Sequence, residues 1–327
     1  MYNRRTFLKT TGALAVAGLL PGLGKANALL ANLAAKYPPI GIQTYTLNFL
    51  WNSPDVDTKA VLKQIADMGI KELETATGTA SGLYYGHKAK EFGTMVKDNG
   101  MTWIANHYGG LPRNRTAAPP TAANGAVGAI ATPPTNANRP TPPGGPRTNL
   151  ADNLQQIVDE AAEGGCSWVV CSSSAESTMD EIKRTTEIFA KAGEAARKNK
   201  MRFAYHNHQS EFDKVDGISA YDYILTQTNK NEVFMELDLA WAFMAKMDPV
   251  AMFKQYPNRF PLWHVKDIDP NTKRPCPLGA GQFDFKRVYE NSKLSGVQHT
   301  FIEQDGAKTI DDPASSVKWL KSSIYKA

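Results

Sequence analysis

The chain has 327 residues, 42% of them hydrophobic and 21% charged, and a formal net charge of +5 at pH 7. This is the make-up of an ordinary globular protein long enough to bury a large core, and the small positive excess, without a basic stripe between aromatics, argues against nucleic acid as a partner. The three cysteines, Cys166, Cys171 and Cys276, have neither the density of a disulfide scaffold nor zinc-site spacing.

Residues 3–9 read N-R-R-T-F-L-K, followed by an apolar, Gly- and Ala-rich stretch over 12–24 and then A-N-A at 26–28. A charged segment, a short apolar segment and an A-x-A site in that order form an export signal. Arg4-Arg5 followed by Phe7-Leu8-Lys9 resembles the twin-arginine signal of bacteria. Cleavage near residue 28 leaves a chain of 29–327 that works in the periplasm or outside the cell. No stretch of it approaches the roughly 20 apolar residues of a membrane helix.

From residue 39 onward the pattern alternates between strand and helix. Strands are expected over 39–46, 70–76, 101–107, 166–172, 201–208, 232–239, 261–268 and 297–304. Amphipathic helices are expected over 57–68, 88–99, 149–163, 179–199, 218–228, 249–256, 283–294 and 312–325. Cys166 and Cys171 flank the apolar S-W-V-V of the fourth strand and read as buried thiols. Eight alternations with short connections predict an α/β protein of the (β/α)8 TIM-barrel type in one domain. The runner-up, a doubly wound open sheet, would carry a Gly-rich phosphate turn, and no G-x-G-x-x-G is present.

One segment breaks the rhythm. Residues 111–148 are rich in Pro, Ala and Thr and hold nine of the twenty prolines, so they cannot build a core. Following the third strand, this insertion hangs at the rim where barrel active sites sit. It reads as a tolerated loop insertion, with a lid or a subunit contact as the alternatives.

The C-terminal ends of barrel strands meet at one rim, so polar residues there become neighbours. The candidates are Glu74, His107, His206, His208, Asp238, His264, Lys266 and Glu303. His206 and His208 are two apart, as are His264 and Lys266, so on a strand each pair shares a face. Imidazoles and carboxylates converging on one point suit a divalent metal ion. Trp51, Trp103, Trp241 and Trp263 lie near predicted strand ends, where an indole stacks on a sugar face or packs in the core.

Taken together, Glu74 after strand two, Y-H-N-H at 205–208 with Glu211-Phe212, D-L-A-W at 238–241, H-V-K-D at 264–267 and I-E-Q-D at 302–305 resemble the sugar phosphate isomerase/epimerase family of xylose-isomerase-like barrels. The resemblance runs from residue 39 to the last helix. It implies one divalent ion on Asp238, His264 and Glu303, with His206 standing where relatives carry a glutamate. Two nitrogens and two oxygens favour Mn, Zn, Co or Fe over Mg.

The implied chemistry is isomerisation or epimerisation of a sugar or keto-sugar by proton abstraction next to a carbonyl. Glu74, His107 and His208 are the acid/base candidates, and Lys266 the group facing a developing oxyanion. A lyase eliminating from 3-keto-glycosides uses the same machinery, and a sugar-binding barrel without catalysis is the alternative of another class. Export implies unphosphorylated sugars or glycosides as substrates, and a homo-oligomer is compatible with all of this.

Overall fold

The computed structural model describes residues 37–53, 55–76, 82–113 and 148–326, within a compact unit that starts at Tyr37. The export signal and nearly all of the 111–148 insertion lie outside the described residues. The eight barrel strands are β1 (Ile40–Gln43), β2 (Glu72–Thr75), β3 (Thr102–Gly109), β4 (Trp168–Ser173), β5 (Arg202–His206), β6 (Val233–Asp238), β7 (Leu262–Val265) and β8 (His299–Ile302). They pair in parallel, each with its sequence neighbours, and β8 closes on β1. Closure excludes the open-sheet alternative.

The principal helices are α1 (Thr58–Asp67), α2 (Ala89–Asp98), α3 (Leu150–Gly164), α4 (Met179–Lys198), α5 (Ala220–Gln227), α6 (Pro249–Gln255), α7 (Phe285–Glu290) and α8 (Asp311–Trp319). Their starts are set by side chains that satisfy otherwise orphaned backbone N–H groups. Asp57 accepts from Lys59 and Ala60, Asn149 from Asp152, and Thr178 from Glu181. Asp248 caps α6 with Pro249 in its first turn, where the missing N–H costs nothing.

Several expected elements are shorter than their patterns. The fifth strand stops at His206, so Asn207 and His208 have left the sheet. The expected helix over 218–228 starts at Ala220 because Ile218–Ser219 pairs with Lys214–Val215 in a small hairpin. Beyond β7, Asp267–Ile268 turns away to pair with Pro275–Cys276. The expected helix over 283–294 breaks at Asn291 into α7 and the turn Ser292–Ser295.

Strand alternation divides the core in two. Inside the barrel lie Ile104, Ala105, Trp168, Val170, Ala204, Leu262 and Phe301, with Phe234 against them. The larger apolar layer lies between strands and helices, and includes Trp103, Phe203, Leu237 and Trp263. A register shift against β2 near Glu74 marks a bulge in the β2–β3 pairing. Cys166 and Cys171 are buried free thiols, as expected, and Cys276 is half-buried.

Candidate active site

Above the apolar floor of the barrel, the inward positions become polar. On β6, Phe234 is followed at steps of two by Glu236 and Asp238. On β7, Leu262 is followed by His264 and, just past the strand, Lys266. Beyond Phe301 of β8 come Glu303 and Asp305. The register places Glu236 opposite His206 and Asp238 opposite His264. A period of two thus stacks these groups in two tiers.

The deeper tier centres on Glu236, whose Oε2 lies 2.8 Å from His107 Nε2, 3.1 Å from His206 Nδ1 and 3.4 Å from His264 Nε2. Glu74 Oε2 lies 2.5 Å from His264 Nε2 and 3.1 Å from His107 Nε2, and accepts from Gln43 Nε2 at 2.9 Å. In the upper tier, His264 Nδ1 is 2.8 Å from Glu303 Oε2. The Lys266 ammonium contacts Asp305 at 2.6 Å, Glu303 at 2.8 Å and Asp238 at 3.2 Å. The Lys266 Nζ also lies 5.0 Å from the Trp241 ring centroid.

The local sequence explains these positions. Asp238 ends β6 and caps the short helix Leu239–Met244, its Oδ1 accepting from the N–H groups of Ala240 and Trp241. The asparagine of Y-H-N-H ties two strand ends together, since Asn207 Oδ1 accepts from Asp238 N at 3.1 Å. Asp267 of H-V-K-D accepts from the N–H groups of Gly279, Gly281 and Phe283, pinning the loop beyond β7.

Burial and mutual charge set the protonation states. Burial alone would lift the Glu74 carboxyl, but His107 and His264 outweigh it and hold the carboxyl far below its usual range. Burial would depress His107, and the carboxylates of Glu74 and Glu236 reverse this, raising it to about 9. Burial and the neighbouring His264 hold His206 well below the imidazole range, leaving it a neutral nitrogen donor. Against their burial, the surrounding carboxylates keep His264 and Lys266 high. Burial raises Asp238, whereas Lys266 and His264 overcome burial to keep Glu303 low.

The residues present fit a divalent ion. Among the described residues two groups bring ligand atoms within 4.8 Å of one another, His107 with His206, Glu236 and His264, and Asp238 with His264 and Glu303. Glu74 Oε1 and Glu236 Oε1 are buried without a hydrogen bond, as oxygens awaiting a cation would be. His264 belongs to both groups, and His206 falls with His107 and Glu236 rather than with Asp238 and Glu303.

Glu74 lies at the foot of the site, within β2, fully buried and engaged with histidines. His208 lies at the rim with 47% of its side chain exposed, its ring 4.9 Å from that of His206 and its N–H donating to Glu211 Oε2. The expectation that His206 and His208 share a strand face does not hold, because the strand ends between them. Three of the four tryptophans take the second of their two expected roles and pack in the core. Trp103 packs edge-on to Tyr84 and Phe92, Trp263 stacks on Phe253, and Trp51 stacks on Tyr85. Only Trp241 borders the polar tiers. Glu236 was not expected, although its spacing from Asp238 on a strand was the signal that places it.

Comparison with known proteins agrees with the fold. Residues 62–322 match the family model of the xylose isomerase-like TIM barrel, and residues 1–21 match that of the twin-arginine translocation signal. An inosose dehydratase of Lacticaseibacillus casei is 27% identical over 151 residues, 40% of this chain and 50% of the relative. An L-ribulose-5-phosphate 3-epimerase of Escherichia coli (strain K12 / DH10B) is 35% identical over 68 residues, 20% of this chain and 24% of the relative. The chain thus spans half or less of the length of these curated relatives. The crystal structure of a sugar phosphate isomerase/epimerase from Parabacteroides distasonis ATCC 8503 superposes with a TM-score of 0.67 at 22% identity, covering 88% of this chain and 99% of that one. With a closed eight-stranded barrel and a family match over most of its length, the chain belongs to the xylose isomerase-like TIM barrel family.

Proposed function

We propose that this chain, as a mature barrel domain of residues 29–327, is a metal-dependent isomerase or epimerase of a sugar or keto-sugar. It acts by proton abstraction next to a carbonyl. The observation that carries this reading is the convergence of His107, His206, His264, Glu236, Asp238 and Glu303 at one end of the barrel, in two groups whose ligand atoms lie within 4.8 Å of one another. Imidazoles and carboxylates so gathered suit a divalent ion that would polarise a carbonyl.

One divalent ion, held by His206 and His264 with carboxylates of the same end of the barrel, would supply Lewis-acid polarisation of the carbonyl and acidify the adjacent C–H. Lys266 is the group that would face the oxygen gaining charge as the C–H proton leaves, exchanging one of its three carboxylate contacts for that oxygen. His208, open to solvent and fixed by Glu211, is placed to exchange a proton at the rim. His107 is the reserve acid or base below it, and Glu74 acts through His107 and His264 rather than on substrate. Trp241 offers an indole face for a sugar ring. Return of the proton to the neighbouring carbon gives isomerisation, and return to the opposite face gives epimerisation.

The twin-arginine match supports work in the periplasm or outside the cell, where unphosphorylated sugars and glycosides are the substrates at hand. Elimination from a 3-keto-glycoside begins with the same proton abstraction, and the similarity to an inosose dehydratase favours keeping it as a second reading.

The test is NMR in D2O with metal-loaded protein and a panel of free sugars, keto-sugars and 3-keto-glycosides. Deuterium at the carbon next to the carbonyl is the expected result. Release of an aglycone moves the assignment to the lyase. If no substrate exchanges with Mn, Zn, Co or Fe, the enzymatic reading is wrong.

A further inference from the structure

We infer that the ion is seated one tier below the position implied by family resemblance, on His107 Nε2, His206 Nδ1, His264 Nε2 and Glu236 Oε2, so that His107 is a ligand in place of the reserve acid or base and proton transfer falls to His208. Glu74 serves as a fifth donor or as the partner that orients the set. This rests on the metal-dependent reading above and specifies which side chains serve it.

Geometry supplies the first argument. Three imidazole nitrogens, from β3, β5 and β7, lie within 3.4 Å of one carboxylate oxygen, that of Glu236. Nitrogens and oxygens converging from separate strands form a preorganised pocket for a borderline cation such as Mn, Fe, Co or Zn. The upper group offers one imidazole and two carboxylates.

Charge supplies the second. Asp238 and Glu303 already have a cation between them, since Lys266 Nζ lies 3.2 Å from one and 2.8 Å from the other. Glu74 and Glu236 are completely buried, and among the described residues they form ion pairs only with histidines. Each keeps an Oε1 without a hydrogen bond. No lysine or arginine pairs with either, so the histidines alone offset these two buried charges, and a bound cation would take over that role as the imidazoles give up their protons.

Histidine chemistry supplies the third. A neutral imidazole has one lone pair and one N–H, so His264 can ligate through only one nitrogen. On binding an ion His264 would give up one proton; Nδ1–H would then donate to Glu303, 2.8 Å away, leaving the lone pair on Nε2, which faces Glu74 and Glu236. A ligating histidine whose other nitrogen donates to a carboxylate is the arrangement that fixes the tautomer at metal sites.

The experiment uses Co2+ alone as probe, with metal content by elemental analysis and affinity by calorimetry on the purified chain. The wild type, Glu236→Gln, His107→Gln and Asp238→Asn are compared, and circular dichroism verifies that each is folded. Glu236→Gln and His107→Gln are expected to weaken Co2+ binding at least 100-fold, and Asp238→Asn less than tenfold. Nitrogen hyperfine couplings of bound Cu2+ should count three imidazoles in the wild type and two in His107→Gln, a readout independent of any variant's stability at Asp238. Loss in Asp238→Asn with retention in Glu236→Gln, or equal loss or equal retention in both, overturns the deeper seat while leaving a metal enzyme. A wild type that binds no divalent ion overturns the metal-dependent reading itself.

Discussion

The Lys266 ammonium lies 2.6 Å from Asp305 Oδ2, the closest of its three carboxylate partners. Asp305 is less enclosed than Glu303, so the lysine joins the buried upper tier to the rim. Lys266→Met keeps much of the apolar stem but removes the charge, leaving Asp238 and Glu303 without their cation. A loss of about 3–5 kcal/mol in stability is expected for breaking one side of a buried ion pair, together with a fall in kcat on the order of a hundredfold or more for a lost oxyanion donor. Urea unfolding and deuterium-exchange rates measure the two effects. A Met variant as stable as wild type would mean that the three carboxylates do not depend on this lysine.

The barrel was legible in the sequence because strand and helix periods alternate cleanly from residue 39 onward. His264 and Glu303 were legible for the same reason, as polar groups interrupting apolar strand ends. Glu236 was hidden inside V-F-M-E-L-D, which reads as the body of a strand, although the step of two from Asp238 fixes its face. His208 was misplaced because nothing in Y-H-N-H announces that Asn207 turns out of the sheet to bind the backbone of Asp238. Strand parity also bears on Trp263: it adjoins His264, so one of the two must point outward.

Trp241, whose proposed role is that of a sugar platform, is the tryptophan that borders the polar tiers, half-buried beside Lys266 and with its ring 6.3 Å from that of His208. Trp241→Ala should raise KM about tenfold, in line with roughly 1–1.5 kcal/mol for an aromatic contact, and change kcat much less. Steady-state kinetics separates the two. A fall in kcat at constant KM would instead make Trp241 a support for Lys266.

Gly93 of α2 packs against Gly164 at the end of α3. A Cβ built there runs into the carbonyl oxygen of Gly164, and a Cβ on Gly164 meets the Trp103 ring. Because the obstacle at Gly93 is backbone, it cannot swing aside. Alanine would gain about 1 kcal/mol of helix propensity, but overpacking costs about 1–3 kcal/mol, and the rigid contact places Gly93→Ala toward the upper part of that range. A net loss in the urea midpoint is expected. An unchanged or raised midpoint would show that the two helices can separate.

Export is tested without reference to the barrel. Residues 1–28 fused to a reporter that functions only after crossing the membrane folded should give signal in a strain with an intact twin-arginine pathway. Replacing Arg4 and Arg5 by lysine should abolish it, because this route reads the arginine pair rather than charge alone. Signal that survives the double substitution would assign the segment to another route.

Glu176 links the loop after β4 to β5, its Oε2 accepting from the Tyr205 hydroxyl at 2.7 Å while Oε1 has no donor. Burial, reinforced by the nearby Glu211 carboxylate, raises its pKa from 4.5 to about 8. Between those values the folded chain retains a proton that the unfolded chain has released. Stability from this group is therefore complete below about pH 4.5, declines as pH rises, and is lost above about 8. Glu176→Gln keeps the amide neutral throughout and removes that slope. Wild type and variant should have similar urea midpoints near pH 5, and near pH 8.5 the variant should be more stable by about 2 kcal/mol, a value reduced for the partial exposure of the side chain. A difference between the two that stays constant with pH would mean that Glu176 is ionised in the folded protein.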